Sequence, residues 1–298
     1  MNNEPNAAAR LQLGLAFAAL ASLCYGSIPS FVRMAYASGA DALGVMCLRS
    51  FFTAIWVAAM ARYMGKALLP PRDLRWTGVG LGVIWMAGAW SYVVSFGRIS
   101  IGLAVTIFYL FPLIVALLTK LWDREPIAPY RVLCLVLGFV GIALAVGASY
   151  DRIDALGVGL AFVSALSVSS NMMVGQRMMR RTNPQAVLFM MTGTAAVGFT
   201  LTALAIGCRF PTTTQGWFGL ATATTLFCAA ITFFYTAISM LGPLRTAMMC
   251  NLEPVVAVIV AYLILGEAQG PVQILGIAIV IGAIVWMQVG DRRARAST

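Results

Sequence analysis

Apolar stretches long enough to cross a lipid bilayer follow one another along the whole chain, and the short linkers between them hold most of its charge. A helix needs about 20 apolar residues to span the hydrocarbon core. On that length the pattern predicts ten spans. The first half gives roughly Leu13–Met34, Ala42–Met64, Trp76–Phe96, Ile99–Leu121 and Ile127–Ser149. The second gives roughly Leu156–Gln176, Pro184–Ile206, Gln215–Met240, Pro243–Leu265 and Val272–Val289. The longest polar interruptions, Lys66–Arg75 and Arg177–Pro184, are too short for a soluble domain. The expected fold class is therefore an all-α membrane protein.

The two halves repeat each other. Pro112 recurs as Pro254, Glu125 as Glu267 and Pro129 as Pro271, each 142 residues later. Five spans are an odd number, so the second copy must enter the bilayer from the side opposite to the first. The pattern predicts ten transmembrane helices as two inverted five-helix repeats around a central cavity, residues 1–150 and 151–298, meeting near Asp151–Ala155. That is the usual building plan of a secondary transporter, whose substrate site lies at mid-depth between the repeats.

Composition narrows the class further. The chain is 61% hydrophobic and 10% charged, where about a quarter of the residues of a soluble domain are charged. Lipid must be the solvent for most of it. The formal net charge of +10 is a matter of topology: sorted over ten spans, fifteen of the 20 Lys and Arg fall on the side of the two termini, and only Arg33, Arg49, Arg98, Arg152 and Arg209 on the other. Positive charge is retained on the cytoplasmic side, which predicts a multi-pass protein with both termini in the cytoplasm. The basic residues are spread over many short loops, so the expected partner is membrane lipid and not nucleic acid. The 6 cysteines form no C-x-x-C pair and read as small buried side chains. Histidine is absent, which removes the commonest metal ligand and general base; no metal and no cofactor are expected. The N-terminal Met1–Arg10 lacks a charged n-region and a cleavage site, so the first apolar run reads as a retained span.

Candidate chemistry gathers where spans are interrupted. Pro112 and Pro254 lie inside the corresponding fourth and ninth spans. A proline donates no backbone hydrogen bond and crowds the carbonyl four residues earlier, which predicts free carbonyls at Phe108 and Cys250. Matching interruptions in two halves are the best pointer in a sequence to a transporter's binding site. Of the 10 acids, Glu253 alone sits near the middle of a span. A charge there is costly, so it faces the interior or is neutral. Three roles are open to it: a proton-coupling site, a ligand for a substrate ammonium, or a lock on backbone freed near Pro254. Its repeat mate is Phe111, so the carboxylate has no symmetric partner.

Polar residues at helical spacing mark the first span (Ser22, Gly26, Pro29, Ser30), the sixth (Ser164, Ser167, Asn171) and the eighth (Thr225, Cys228, Thr232, Tyr235, Ser239). They read either as cavity lining or as helix contacts. Trp85, Trp90, Tyr92, Phe96, Phe108, Tyr109 and Phe111 crowd the third and fourth spans, whereas Trp76, Trp122, Trp217 and Trp286 sit nearer span ends as interface anchors. The candidate substrate-binding set is Tyr25, Pro29, Trp85, Trp90, Tyr92, Phe108, Tyr109, Ser164, Ser167, Asn171, Thr232, Tyr235, Asn251 and Glu253. No catalytic residue is expected: one deep carboxylate, no histidine and no paired nucleophile do not make an enzyme site. Gly78-x-x-x-Gly82 and Gly141-x-x-x-Ala145 allow close helix approach within a monomer or between the protomers of a homodimer. Arg49 is expected to pair with Asp41; the other reading is that it meets a carboxylate entering the outer mouth.

The doubled five-span unit, Leu110-Phe111-Pro112 in the fourth span, Asn251-Leu252-Glu253-Pro254 in the ninth, and the segments Arg124-Glu125 and Gly266-Glu267 that follow them together resemble the drug/metabolite transporter superfamily, in its EamA-like branch. The resemblance covers nearly the whole chain. It implies a carrier of the bacterial cytoplasmic (inner) membrane that exports small-molecule metabolites by alternating access. Within the superfamily the chain looks most like bacterial amino-acid exporters, including the aromatic type. The superfamily's four-span multidrug members use a carboxylate in the first span; here that span has no acid, so their coupling mechanism does not carry over, and proton coupling or facilitated diffusion both stay open.

Overall fold

Helix starts in this chain are set by side chains that answer the orphan N–H groups of a first turn. The computed structural model describes residues 4–123, 127–147, 154–265 and 270–296. In it Asp41 accepts from the Gly44 N–H at 2.7 Å, Asn183 from Ala186 at 2.9 Å and Thr213 from Gly216 at 3.2 Å. Pro129, Pro184, Pro243 and Pro271 each open a helix, where their missing N–H is not needed. The helices are α1 (Glu4–Ala37), α2 (Ala42–Tyr63), α3 (Arg75–Phe96), α4 (Ile101–Phe108), α5 (Phe111–Leu118), α6 (Pro129–Val146), α7 (Ala155–Met179), α8 (Pro184–Ile206), α9 (Thr214–Leu241), α10 (Pro243–Met249), α11 (Leu252–Leu265) and α12 (Pro271–Ala296).

Among the described residues, ten helical segments are long and apolar enough to cross a membrane. The fourth span is α4 and α5 in series, ending in a π-helical stretch at Thr119–Asp123, and the ninth is α10 and α11. The breaks fall at residues 109–110 and 250–251, just before Pro112 and Pro254. α1 and α12 run past the expected apolar stretches at Leu13–Met34 and Val272–Val289, because a helix continues into polar sequence once it leaves the lipid. The markers Glu125 and Glu267, their neighbours Arg124 and Gly266, and the boundary at 150/151 lie outside the described residues.

Helix packing obeys the repeat. α1 lies along α9 as its counterpart α7 lies along α3; α1 meets α11 as α7 meets α4 and α5; α3 meets α8 as α9 meets α2. Three further cross-repeat contacts join counterpart spans directly: α2 with α8, α6 with α12, and the fourth span with the ninth through α5 and α10. Each half has five spans, so the two-fold axis that exchanges the halves runs in the membrane plane, which makes the repeats inverted. Trp85 and Phe227 are 142 positions apart and their rings touch, with centroids 6.3 Å apart. The pair marks the axis near the middle of the third and eighth spans.

The same clamp appears on both membrane faces. On one, Asp41 donates its N–H to the Arg209 carbonyl at 3.1 Å, and its carboxylate accepts from the Arg209 N–H at 3.0 Å. On the other, Asn183, the mate of Asp41, donates its side-chain amide to the carbonyl of Ala67, the mate of Arg209, at 3.0 Å. The small-residue motifs act inside the bundle. Gly78 and Gly82 of α3 pack on Met190, Met191 and Thr194 of α8, and Gly141 and Ala145 of α6 pack on Gly276 of α12. Trp76, Trp122, Trp217 and Trp286 are exposed on the outer surface.

A Cβ at Gly276 would collide with the Ala145 amide nitrogen and the Gly141 carbonyl, and neither backbone group can yield without separating α6 from α12. We expect Gly276→Val to destabilise the protein by about 1–3 kcal/mol, read as a lowered melting temperature in detergent, while Gly282→Val, at a position with open space, leaves it unchanged. At the turn between the third and fourth spans, Arg98 bridges to Asp154, the N-cap of α7, at 3.0 Å. The Arg98 guanidinium, with the Leu156 N–H, holds the Asp154 carboxyl below the usual carboxylate value. That tie is present above the ordinary carboxylate pKa and is lost as pH falls through the lowered one. Melting temperature measured from pH 6 down to pH 3 should show a smaller acid decline in Asp154→Asn than in the parent.

Candidate functional site

The two broken spans meet α1 and α7 through side-chain hydroxyls. The Ser22 hydroxyl of α1 donates to the Met249 carbonyl at 3.2 Å, and the Ser169 hydroxyl of α7 donates to the Phe111 carbonyl at 3.1 Å. Lipid offers backbone groups no partner, so a helix can break at depth only where protein or a wet cavity answers it. The breaks differ in what they leave. The Phe108 carbonyl accepts no backbone donor among the described residues, as Pro112 predicts. The Cys250 carbonyl, also expected to be free, instead accepts the Glu253 N–H at 2.9 Å. Pro254 sits in the first turn of α11, so a short turn closes ahead of it and takes up that acceptor.

A cavity of about 800 Å³ lies beside these breaks, within the usual range for ligand sites. Gly26, Pro29, Ser30 and Arg33 of α1 form one wall; Tyr92 of α3 with Ile101, Val105, Phe108 and Tyr109 of the fourth span form another; Ala145, Val146, Gln273, Glu253, Pro254, Ala257 and Val258 complete it. Arg33, Ile101, Val146 and Gln273 all stand at span ends on the face opposite to the N-terminus, so the cavity opens to that face. At the other face, Arg177 at the end of α7 stacks on Trp122 at the end of the fourth span, 4.9 Å from the ring centroid.

Glu253 lies at the deep end, in the first turn of α11, where the helix dipole favours a carboxylate. It is about ten residues, or roughly 15 Å, from either end of its span. Tyr25, Tyr92 and Tyr109 all lie within its electrostatic reach, and the Tyr109 phenol faces the carboxylate. The carboxylate lines the cavity. Tyr92 is held by Phe96 and Phe108, with ring centroids 4.7 and 4.8 Å away.

Of the candidate residues, the structure brings Pro29, Tyr92, Phe108, Tyr109 and Glu253 to this cavity. Tyr25 and Trp85 lie beside it on the axis, both against Phe227. The others are elsewhere. Trp90 is 40% exposed on the outer surface of α3, facing lipid. Ser167 donates to the Ile84 carbonyl at 2.7 Å and Ser164 is buried near Gly88, which ties α7 to α3, while Asn171 is buried and donates to the Ser167 carbonyl of its own helix at 3.0 Å. Thr232 accepts from the Trp56 indole, and the Tyr235 hydroxyl meets the Met191 sulfur at 3.0 Å, so both serve contacts of α9 with α2 and α8. Asn251 is buried against Gly138 of α6. Ser164 and Ser167 of the sixth span and Thr232 and Tyr235 of the eighth thus serve helix contacts. The sequence reading missed Arg33 and Gln273, which lie at span ends and carry no signal that separates them from ordinary flanking residues.

Arg49 corrects a second expectation. Asp41 spends its carboxylate on Gly44 and Arg209 and makes no ion pair with Arg49. The Arg49 guanidinium stands 4.1 Å over the Phe227 ring, and its Nε is buried with no hydrogen-bond partner. No group of three or more His, Cys, Asp or Glu that could hold a metal occurs among the described residues.

The EamA-like transporter family model matches residues 12–147 and again 155–288. One solved crystal structure superposes with a TM-score of 0.79 at 17% identity, covering 94% of this chain and 98% of its own; at that identity the likeness shows the fold alone. No curated protein matches the chain in sequence.

Tyr92 and Trp90 give a direct contrast. Tyr92→Ala should change substrate preference by about tenfold, the size of one lost aromatic contact, in a competition assay on liposomes, whereas Trp90→Ala should leave it unchanged.

Proposed function

The chain belongs to the EamA-like transporter family, and on that premise we propose that it is a multi-pass carrier of the bacterial cytoplasmic membrane that exports amino acids, aromatic or broadly apolar ones, by alternating access. The observation that carries this reading is the Glu253 carboxylate at mid-depth among Tyr25, Tyr92 and Tyr109, at the floor of an aromatic-walled cavity. A single carboxylate in that setting suits one ammonium group, and the phenols suit its remaining N–H donors. Phe108, Tyr92, Val105 and Val258 offer an apolar wall for a side chain. The cavity lining holds one cation, Arg33 at its mouth, too few for the several negative charges of nucleotide sugars and organic phosphates. The reading is that of a transporter and not an enzyme.

The bias of Lys and Arg toward the side of the termini supports cytoplasmic ends. With that orientation the cavity described here opens to the periplasm, the state in which an exporter releases its load. Rocking of one repeat against the other exposes the same site to the cytoplasm. Small-molecule substrate and membrane lipid are the proposed partners, with no nucleic acid, and the carrier works as a monomer or homodimer.

Uptake by liposomes holding the purified protein tests this. Zwitterionic amino acids should accumulate above empty vesicles, with aromatic and branched side chains preferred over phosphorylated solutes. Glu253→Gln should lower amino-acid transport at least tenfold. If protons are coupled at this residue, the pH dependence of the parent vanishes in the variant; transport that is flat with pH in the parent removes the coupling role.

A further inference from the structure

Arg49 stands near the centre of the molecule without a counter-charge. It lies in the second turn of α2, about seven residues or roughly 10 Å below the outer end of its span, and its backbone carbonyl accepts the Thr53 hydroxyl. Thr53, one turn further, meets Cys228 of α9 at 3.4 Å, so this face of α2 looks inward. The guanidinium rests on Phe227, which is 5% exposed and touches Trp85 across the pseudo-two-fold axis. The groups that act on it are the phenols of Tyr36 and Tyr25 and the Cys228 thiol, with no carboxylate among them. A cation inside a bilayer protein is normally paired or aimed at a water-filled cavity; an aromatic face alone replaces little of its hydration.

The repeat shows that the fold does not demand this charge. Arg49 has Met191 as its mate, and Met191 is fully buried and packed with Tyr235. Glu253 has Phe111, also buried. The two positions where the halves differ in charge at depth are therefore an arginine and a glutamate, and Tyr25 links them: its ring packs edge-on against Phe227, on which Arg49 rests, and its neighbour Gly26 packs on the Glu253 backbone. Tyr36, exposed at the outer end of α1, continues the line outward from Arg49.

From this geometry we infer that Arg49, which stands against Phe227 behind Tyr25 and just outside the lining of the open cavity, is the carboxylate-recognising residue of the substrate site, working with Glu253 as a two-ended reader of zwitterions. The inference rests on the amino-acid reading above and deepens it. A guanidinium offers a planar fork that binds a carboxylate with two parallel hydrogen bonds, and its unpartnered Nε is one of the donors available. Selection is then a matter of two charges held apart: an amine lacking the carboxylate leaves Arg49 unanswered, and an acid lacking the ammonium leaves Glu253 unanswered.

The test is binding to the full-length protein in nanodiscs of three probes: L-phenylalanine, phenethylamine and N-acetyl-L-phenylalanine. The parent should prefer phenylalanine over both analogues. Arg49→Met should weaken phenylalanine at least tenfold and leave phenethylamine unchanged or tighter, so the preference between them collapses. Arg49→Lys should keep part of it, and Arg49→Gln serves as the neutral variant if the methionine form does not fold. A neutral, folded variant that still prefers phenylalanine over phenethylamine, or that loses both equally, overturns the inference while the amino-acid reading stands. Arg49-dependent binding of N-acetyl-phenylalanine as tight as that of phenylalanine keeps the carboxylate role and removes the amino-acid reading. A parent that binds neither carboxylate-bearing probe removes both.

Discussion

A helix that breaks inside lipid must find partners for its backbone within the protein, and this requirement organises the centre of the molecule. The fourth and ninth spans break near mid-depth, just ahead of Pro112 and Pro254. The groups they release are met by Ser169 and Ser22, from the two spans that flank the breaks, and by a tight turn closing on Cys250. Phe108, whose carbonyl accepts no backbone donor among the described residues, lines the cavity. The site is therefore where it is because only there can the backbone be irregular without an unanswered polar group in hydrocarbon.

Inverted duplication then supplies two versions of each environment, and the sequence has made them unlike. The clamps at Asp41 and Asn183, the helix starts and the helix-on-helix contacts are kept in both halves. The deep charges are not. Met191 and Phe111 fill with apolar atoms the positions that Arg49 and Glu253 occupy with charge. Packing is satisfied either way, so the difference is left to chemistry. In this structure Glu253 borders the open cavity, while the apolar counterparts Met191 and Phe111 are buried.

A shared hinge-like logic follows from the same arrangement. Interfaces between counterparts, α6 with α12 through Gly141 and Gly276, and α2 with α8, have nearly equivalent surfaces on both sides of the axis. Exposed ties such as Arg98 with Asp154 and Asp73 with Arg181 are worth little individually.

The sequence alone determined the ten spans, the duplication, the level of both breaks and the one deep carboxylate, because hydropathy, proline geometry and the cost of charge in lipid act locally along the chain. It also pointed to Tyr92, Phe108 and Tyr109, which are close to the first break in sequence or packed upon it. It did not separate the stripes on the sixth and eighth spans from cavity lining. Ser167 and Tyr235 look the same in a sequence whether they face a void or a neighbouring helix, and only the position of α3 and α8 decides. Nor did it assign Arg49, since its choice between Asp41 and the interior depended on Asp41 being already engaged by a loop 168 residues away. Which face of each helix is presented to which neighbour is a property of the assembled bundle, and that was decided by the tertiary structure.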